Sequence, residues 1–247
     1  MPPRLDHLIL LVHDIDEAVA AFSGAGFTVL ERADAKAGST LSRFVVFADD
    51  SYIQLAAFRS PQTIETHRLG PVMASGGGFA DYSILVADLD EAGRRGAAAG
   101  VILGAVHEVG NSVAGAGDWS LRLLLAGRGT QGDEALPFLV QDVAGRGARV
   151  PPAPSHGNSA RGIAAVTVAS AVPAASARRL RALLGLPTDA SPQPEQVVSV
   201  GGCTVTFVEA GGGRLGPVAV AVRCPPETAP ARLSFGNGGT LTLGAFA

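Results

Sequence analysis

The stretch "RLDHLILLVHDIDEAVAAF", residues 4–22, returns in altered form as "ADYSILVADLDEAGRRG", residues 80–96. Setting the acidic boxes in register places Asp14, Ile15, Asp16, Glu17 and Ala18 on Asp88, Leu89, Asp90, Glu91 and Ala92, an offset of 74 residues. The same offset carries Leu11 and Val12 onto Leu85 and Val86, and Gly26 onto Gly100, so the chain contains an internal repeat. Each copy opens on an apolar run of strand length and reaches an aspartate suited to accept from the free amides of a first helical turn. Helix-compatible residues follow, and the copy stops on a glycine.

After Gly26 come three runs of strand character, "FTVLERA", "LSRFVVFAD" and "SYIQLAAF"; after Gly100 come "VILGAVHEV", "WSLRLLLAG" and "LPFLVQD". Each copy therefore reads strand, helix, strand, strand, strand. Residues 145–162, "GRGARVPPAPSHGNSARG", are rich in Pro, Gly and Ser and read as a linker. Beyond it a diverged third copy begins with "IAAVTVASAV" and "PAASARRLRALLG", followed by "EQVVSV", "CTVTFVEA" and "GPVAVAVR". The closing "ARLSF" and "GTLTLGAF" read as a hairpin. The expected organisation is a paired domain over 1–144, a linker over 145–162 and a third unit with its hairpin over 163–247.

Bulk properties bound the function. The 247 residues are 47% hydrophobic, 17% charged and 5% aromatic, with 32 glycines, which suits a globular chain of close-packed elements and tight turns. Net charge is −3 and no basic run exceeds the pair Arg178 and Arg179, so nothing would track a phosphate backbone and no nucleic-acid partner is expected. No window approaches the roughly 18–20 apolar residues of a membrane span, and the apolar run from Leu8 to Val12 is too short for a secretion signal. The expectation is a cytoplasmic protein with no membrane partner, its Cys203 and Cys224 reduced and packed.

The βαβββ repeat, the phrase "HGN" at 156–158 and the preceding "LPFLVQD" resemble the glyoxalase-like proteins of the vicinal oxygen chelate superfamily, also called glyoxalase/bleomycin resistance/dioxygenase proteins. The resemblance implies an α+β fold in which two units pair to curl their strands into a cup. It also implies a small-molecule ligand and a divalent metal (Fe, Mn, Zn or Ni). That metal would be held by a histidine on the first strand of a unit, a carboxylate on its last strand and the equivalent pair from the partner unit. His7 stands at the histidine position, and strand alternation puts it with Ile9 and Leu11 on one face.

The other positions depart from the pattern. Gln54 in "YIQL" replaces the usual glutamate with a neutral amide, which holds a cation less tightly. Asp81 falls on the repeat of His7, and no carboxylate lies between Leu136 and Val140 on the last strand of the second copy. The metal set is thus His7, Gln54 and Asp81, a degraded site. Arg43 and Arg122, near the third strands of their units, would compete with a cation for Asp81 if they faced the cup. Tyr82 and Trp119 are the aromatics expected to line it. In place of the family's "GTAN" phrase stand Ser39, Thr40, Leu41 and Ser42. His156 and Asn158 read as anchors for the chain crossing between domains.

Two functions follow. One is a metal-assisted lyase, isomerase or dioxygenase acting on a small oxygen-rich molecule. The other is a non-catalytic binding or resistance protein that keeps the cup without a metal. Because both pairing units lie in one chain, a monomer could close its own cup, and a homodimer is equally compatible.

Overall fold

The apolar run of residues 4–11 becomes a central strand with partners on both sides, and the rest of the architecture is arranged around it. The computed structural model describes residues 1–31, 38–187, 194–236 and 239–246. In chain order these form β1 (Arg4–Leu11), α1 (Ile15–Gly24), β2 (Thr40–Val46), β3 (Tyr52–Phe58), the short helices α2 (Pro61–Thr66) and α3 (Gly70–Ala74), and β4 (Gly78–Leu85). There follow α4 (Leu89–Ala98), β5 (Val106–Val113), β6 (Gly117–Leu125), β7 (Phe138–Ala144), α5 (Arg146–Arg149), β8 (Gly162–Ser170) and α6 (Pro173–Leu184). The chain closes with β9 (Val197–Val200), β10 (Cys203–Glu209), β11 (Gly216–Arg223), β12 (Ala231–Phe235) and β13 (Gly239–Gly244). Among the described residues no helix is long and apolar enough to cross a membrane.

The repeated aspartates act as local physics requires. The Asp14 carboxylate accepts from the amides of Asp16 and Glu17 at 2.8 and 3.1 Å, and Asp88 accepts from Glu91 at 2.8 Å, so each satisfies helix amides that have no intrahelical partner. Of the expected strand "FTVLERA" only a single bridge forms, Leu30 to Phe44, and Arg32 and Ala33 lie outside the described residues. The strand read at "VILGAVHEV" starts only at Val106.

The first sheet has the order β2-β3-β1-β4-β7-β6-β5 and curls into a half-barrel; the second has the order β12-β13-β11-β8-β10-β9. The two share one pairing plan. β1 is parallel to β3 and antiparallel to β4, as β8 is parallel to β10 and antiparallel to β11. Both central pairs even carry a bulge at the same place, skipping Ala80 in the first and Val218 in the second. This pairing refines the expected third unit with a terminal hairpin. Gly216–Arg223 corresponds in its pairing to β4 and opens a fourth unit, which has no helix and one strand fewer among the described residues. Its last two strands are the hairpin, with β13 also parallel to β11. One apolar core joins the sheets. It contains Leu8 and Leu10 of β1, Tyr82 and Ile84 of β4, Val166 and Val168 of β8 and Val220 and Val222 of β11, with Phe22, Leu89 and Leu180 of the long helices.

The segment read as a linker is pinned to the first sheet. His156 accepts from the Thr28 amide through Nδ1 (3.0 Å) and donates through Nε2 to the Val46 carbonyl (3.0 Å), while Asn158 donates to the Ala25 carbonyl at 2.8 Å. Upstream, Gly145 adopts φ 65°, and a Cβ there would lie 2.0 Å from the Asp118 carbonyl, so only glycine admits this turn. The turn delivers Arg146 and Arg149 to Asp6, which has no solvent exposure. Asp6 Oδ1 accepts from Arg146 (2.8 Å) and Arg149 Nη2 (3.1 Å), and Oδ2 from Arg149 Nη1 (2.9 Å). Removing one partner from such a cluster strands a buried charge, so Asp6→Ala is expected to cost about 3–5 kcal/mol and lower Tm by about 6–20 °C. The double variant Asp6→Ala/Arg149→Met should lose less than the sum of the single losses in thermal unfolding. Strict additivity would contradict the coupling.

Candidate functional site

The face of β1 opposite the shared core carries His7, Ile9 and Leu11, as alternation predicts. Around it lie Ala56 of β3, Ala80 and Leu85 of β4, Phe138 and Val140 of β7, and Trp119 and Leu121 of β6. This is the concave face of the first sheet, and it is largely apolar. The segment between β3 and β4 packs on the same surface, placing Leu69, Val72 and Met73 into the cup.

Strand register defines the four positions at which relatives would place metal ligands. His7 and Asp81 are the repeat-equivalent pair on β1 and β4. Gln54 pairs with Ile9 across β1 and β3, and Phe138 pairs with Ser83 across β4 and β7; Ser83 is the repeat equivalent of Ile9. The quartet is therefore His7, Gln54, Asp81 and Phe138.

His7 is buried, stacked on Tyr52 at 4.6 Å between ring centroids and edge-on to Phe138 at 5.3 Å. Its Nδ1 lies 2.8 Å from Asp6 Oδ2. Burial pushes the Asp6 carboxyl up, but His7 and Arg149 outweigh it and hold the group well below the usual carboxylate range. Asp6 is ionised and accepts from Nδ1–H, leaving the Nε2 lone pair free to accept. Burial drives the imidazole below its ordinary value despite the neighbouring carboxylate, so His7 is neutral at pH 7.

Asp81 is buried, which raises its carboxyl; the Arg68 guanidinium, the Tyr82 amide and Arg128 offset this in part. Arg68 makes a short ion pair with Asp81 Oδ2 and stands over the Phe138 ring at 5.1 Å. It also donates to the Arg128 carbonyl. Gln54 donates through Nε2 to Ser42 Oγ at 2.9 Å.

The remaining expected residues divide by face. Trp119 joins the concave apolar cluster. Tyr82 instead lies in the shared core, its hydroxyl donating to the Ala135 carbonyl at 3.0 Å, because alternation along β4 sends the neighbour of Asp81 to the opposite face. Arg122 turns to Asp90 on α4 in a bidentate pair at 2.8 and 2.9 Å. Arg43 alternates with Ser42 and Phe44 on β2 and reaches Glu31 at 3.3 Å, away from Gln54. Neither arginine approaches Asp81. That role falls to Arg68, in a segment outside the repeat pattern, and Asp6 likewise carried no signal beyond its place next to His7.

These residues do not fit a divalent metal. His7 is oriented as a ligand would be, but Asp81 already has a cation on it, Gln54 offers an uncharged oxygen and Phe138 offers none. Among the described residues no group of three or more His, Cys, Asp and Glu side chains could hold an ion.

The His7 assignment predicts a titration. Its folded-state pKa lies below the unfolded value of about 6.5, so the unfolded chain binds the proton first on acidification. The stability contributed by neutral His7 is present above pH 6.5 and is lost as pH falls from there toward the folded pKa. NMR titration of the five histidines should show His7 neutral with Nδ1 protonated at pH 7 and titrating below 6.5; a midpoint at or above 6.5 would refute this.

Comparison with known proteins places this geometry. The Glyoxalase-like domain family matches residues 5–184, more than half of the chain. No curated protein matches the sequence. Among solved structures, a hypothetical protein from Staphylococcus aureus aligns over 99% of this chain and 100% of its own at 13% identity, with a TM-score of 0.70. A triple mutant of 4-hydroxymandelate synthase from Streptomyces coelicolor aligns over 100% of this chain and 95% of its own at 16% identity, with a TM-score of 0.59. Methylmalonyl-CoA epimerase from Mycobacterium tuberculosis aligns over 59% of this chain and 91% of its own at 21% identity, with a TM-score of 0.42. The repeat, the curled sheet and the matched residues together show that the chain belongs to the glyoxalase-like domain family, with the fold of the vicinal oxygen chelate superfamily.

Proposed function

We propose that this chain is a metal-independent small-molecule protein of the glyoxalase-like family, in which an internal cation takes the place of a bound ion. The observation that carries the reading is Arg68, paired to Asp81 and laid over Phe138. A guanidinium cannot be deprotonated near neutral pH, so it is a permanent positive charge that a divalent ion would have to displace. Of the other register positions, Gln54 offers only an uncharged oxygen and Phe138 none, so little would compensate for that displacement.

The concave face carries side chains that a bound molecule would use. Its walls are apolar, and His7, Gln54 and Arg68 add one acceptor, one amide and a donor fork. Ser83, beside His7 across the β1–β4 pair, has a buried hydroxyl without a hydrogen-bond partner among the described residues. The fitting ligand is a small molecule with one oxygen acceptor for Arg68 on an otherwise apolar body. The reading as a metal-assisted lyase, isomerase or dioxygenase draws on His7 and on the family resemblance.

Thermal melts in chelator and in excess Fe, Mn, Zn or Ni test the choice. An ion bound only by the folded chain at about 100 times its Kd would add about 2.7 kcal/mol and raise Tm by about 5–10 °C. The expected result is no rise in the native protein and a rise in the variant Arg68→Ala/Gln54→Glu/Phe138→Glu, which supplies acids at the two neutral positions and clears Asp81. A metal-dependent rise in the native protein would overturn the proposal.

A further inference from the structure

We infer that a second small-molecule site lies away from the cup, in the cleft where the two sheets meet. A cavity of about 320 Å³ opens between the loop after α4 and the start of α6. The volume is within the range of small-ligand sites, and such sites favour the seams between modules. Its apolar walls come from both halves of the molecule: Val101, Ile102 and Leu136 from the first, Val172 and Leu215 from the second. Ile102 and Val172 are 52% and 57% exposed, unusual for large aliphatic side chains that share one cavity. A second cavity of about 360 Å³, between α4 and α6, shares Arg179 with the first.

The cleft is held open by a fixed polar frame. Arg128, itself buried, donates to the Leu215 carbonyl at 2.7 Å, to the Ala80 carbonyl at 3.2 Å and to Glu134 Oε2 at 2.7 Å. Asp133 Oδ1 accepts from the Ala135 amide at 3.1 Å, and Oδ2 accepts from Ser176 and from Arg179 at 3.2 Å. At Gly132 a Cβ would come within 3.1 Å of the Ile102 Cβ, so the absence of a side chain keeps this wall clear.

The same bonds specify the ligand. Both lining carboxylates are neutralised, Asp133 by Arg179 and Glu134 by Arg128, so the cleft offers no net charge to an ion. What remains is donor capacity on Arg179 and acceptor capacity on Glu134 Oε1. These suit a neutral, mainly apolar molecule whose polar end carries a carbonyl oxygen beside an N–H or O–H, as in an aryl carboxamide. An ion of either sign would give up its hydration with no net opposite charge in the cleft to replace it.

The test uses the full chain and three probes of one shape: 2-naphthamide, 2-naphthoate and 2-naphthylmethylammonium. Binding is followed by amide chemical shifts in 15N-labelled protein. The amide should bind at least tenfold more tightly than either ion, with shifts at Val101, Ile102, Gly132 and Val172 and none at His7 or the Trp119 indole. Ile102→Trp and, independently, Val172→Trp should each weaken binding at least tenfold without loss of fold. Absence of amide binding, shifts confined to the cup, or unchanged affinity in both filled variants would overturn the site. An ion binding as tightly as the amide would overturn the ligand class. Because the cup reading is tested by metal-dependent melting, failure of one leaves the other standing.

Discussion

A fully buried carboxylate is tolerable only if its hydrogen-bonding capacity is filled, and Asp6 sets the terms for much of the first half of the chain. Three groups converge on it: the His7 ring and the Arg146 and Arg149 guanidiniums. The arginines are not local. They come from the turn after β7, so satisfying Asp6 requires that the far end of the paired units fold back onto β1. The same contact selects the tautomer of His7, while burial of the ring disfavours its protonated form. One charge thereby couples the closure of the fold to the state of the side chain in its cup.

The cup then presents a different electrostatic problem. Asp81 is buried where desolvation favours its neutral form, and a nearby cation must compensate if it is to stay ionised. A divalent ion is one solution and a guanidinium another. Arg68 reaches Asp81 from the segment between β3 and β4, and the same segment seats Leu69, Val72 and Met73 against the concave face. Gly70 lets this segment turn tightly, since a Cβ there would lie 1.8 Å from the Ile64 carbonyl. The cation and the apolar cover thus arrive on one stretch of chain.

What could be read from the sequence divides along the range of the interactions involved. Asp14 and Asp88 were legible because capping is decided within three residues, and His7 was placed on the correct face because alternation is local. Tyr82 follows Asp81 directly on β4, so the alternation that leaves Asp81 in the cup sends Tyr82 into the shared core, and the two cannot both line one face. Arg68 was invisible because it lies outside the repeat, where no register exists to align it. Asp6 was overlooked because strict alternation sends it away from His7, and the register shift between Leu5 and His7 is what permits their contact. The fourth unit hid for a related reason: Gly216–Arg223 reads as a strand in either assignment, and only its antiparallel pairing with β8 distinguishes an opening strand from a closing one.

The shared pairing plan allows the two sheets to be compared position by position. By register, His7, Gln54, Asp81 and Phe138 correspond to Ala165, Thr206, Ala219 and Thr242. The second sheet has no ionisable group at any of these places, and the first has two, one already paired with an arginine. Neither sheet carries a quartet that could compete for a cation, yet both share the pairing plan, the bulge and the core. Those features persist because they are packing constraints: Leu8, Leu10, Val166 and Val168 are buried against one another whatever the opposite faces carry. The side chains of the concave faces are free of that constraint. α4 and α6 meet directly, and the seam they create is a surface that neither sheet would have alone.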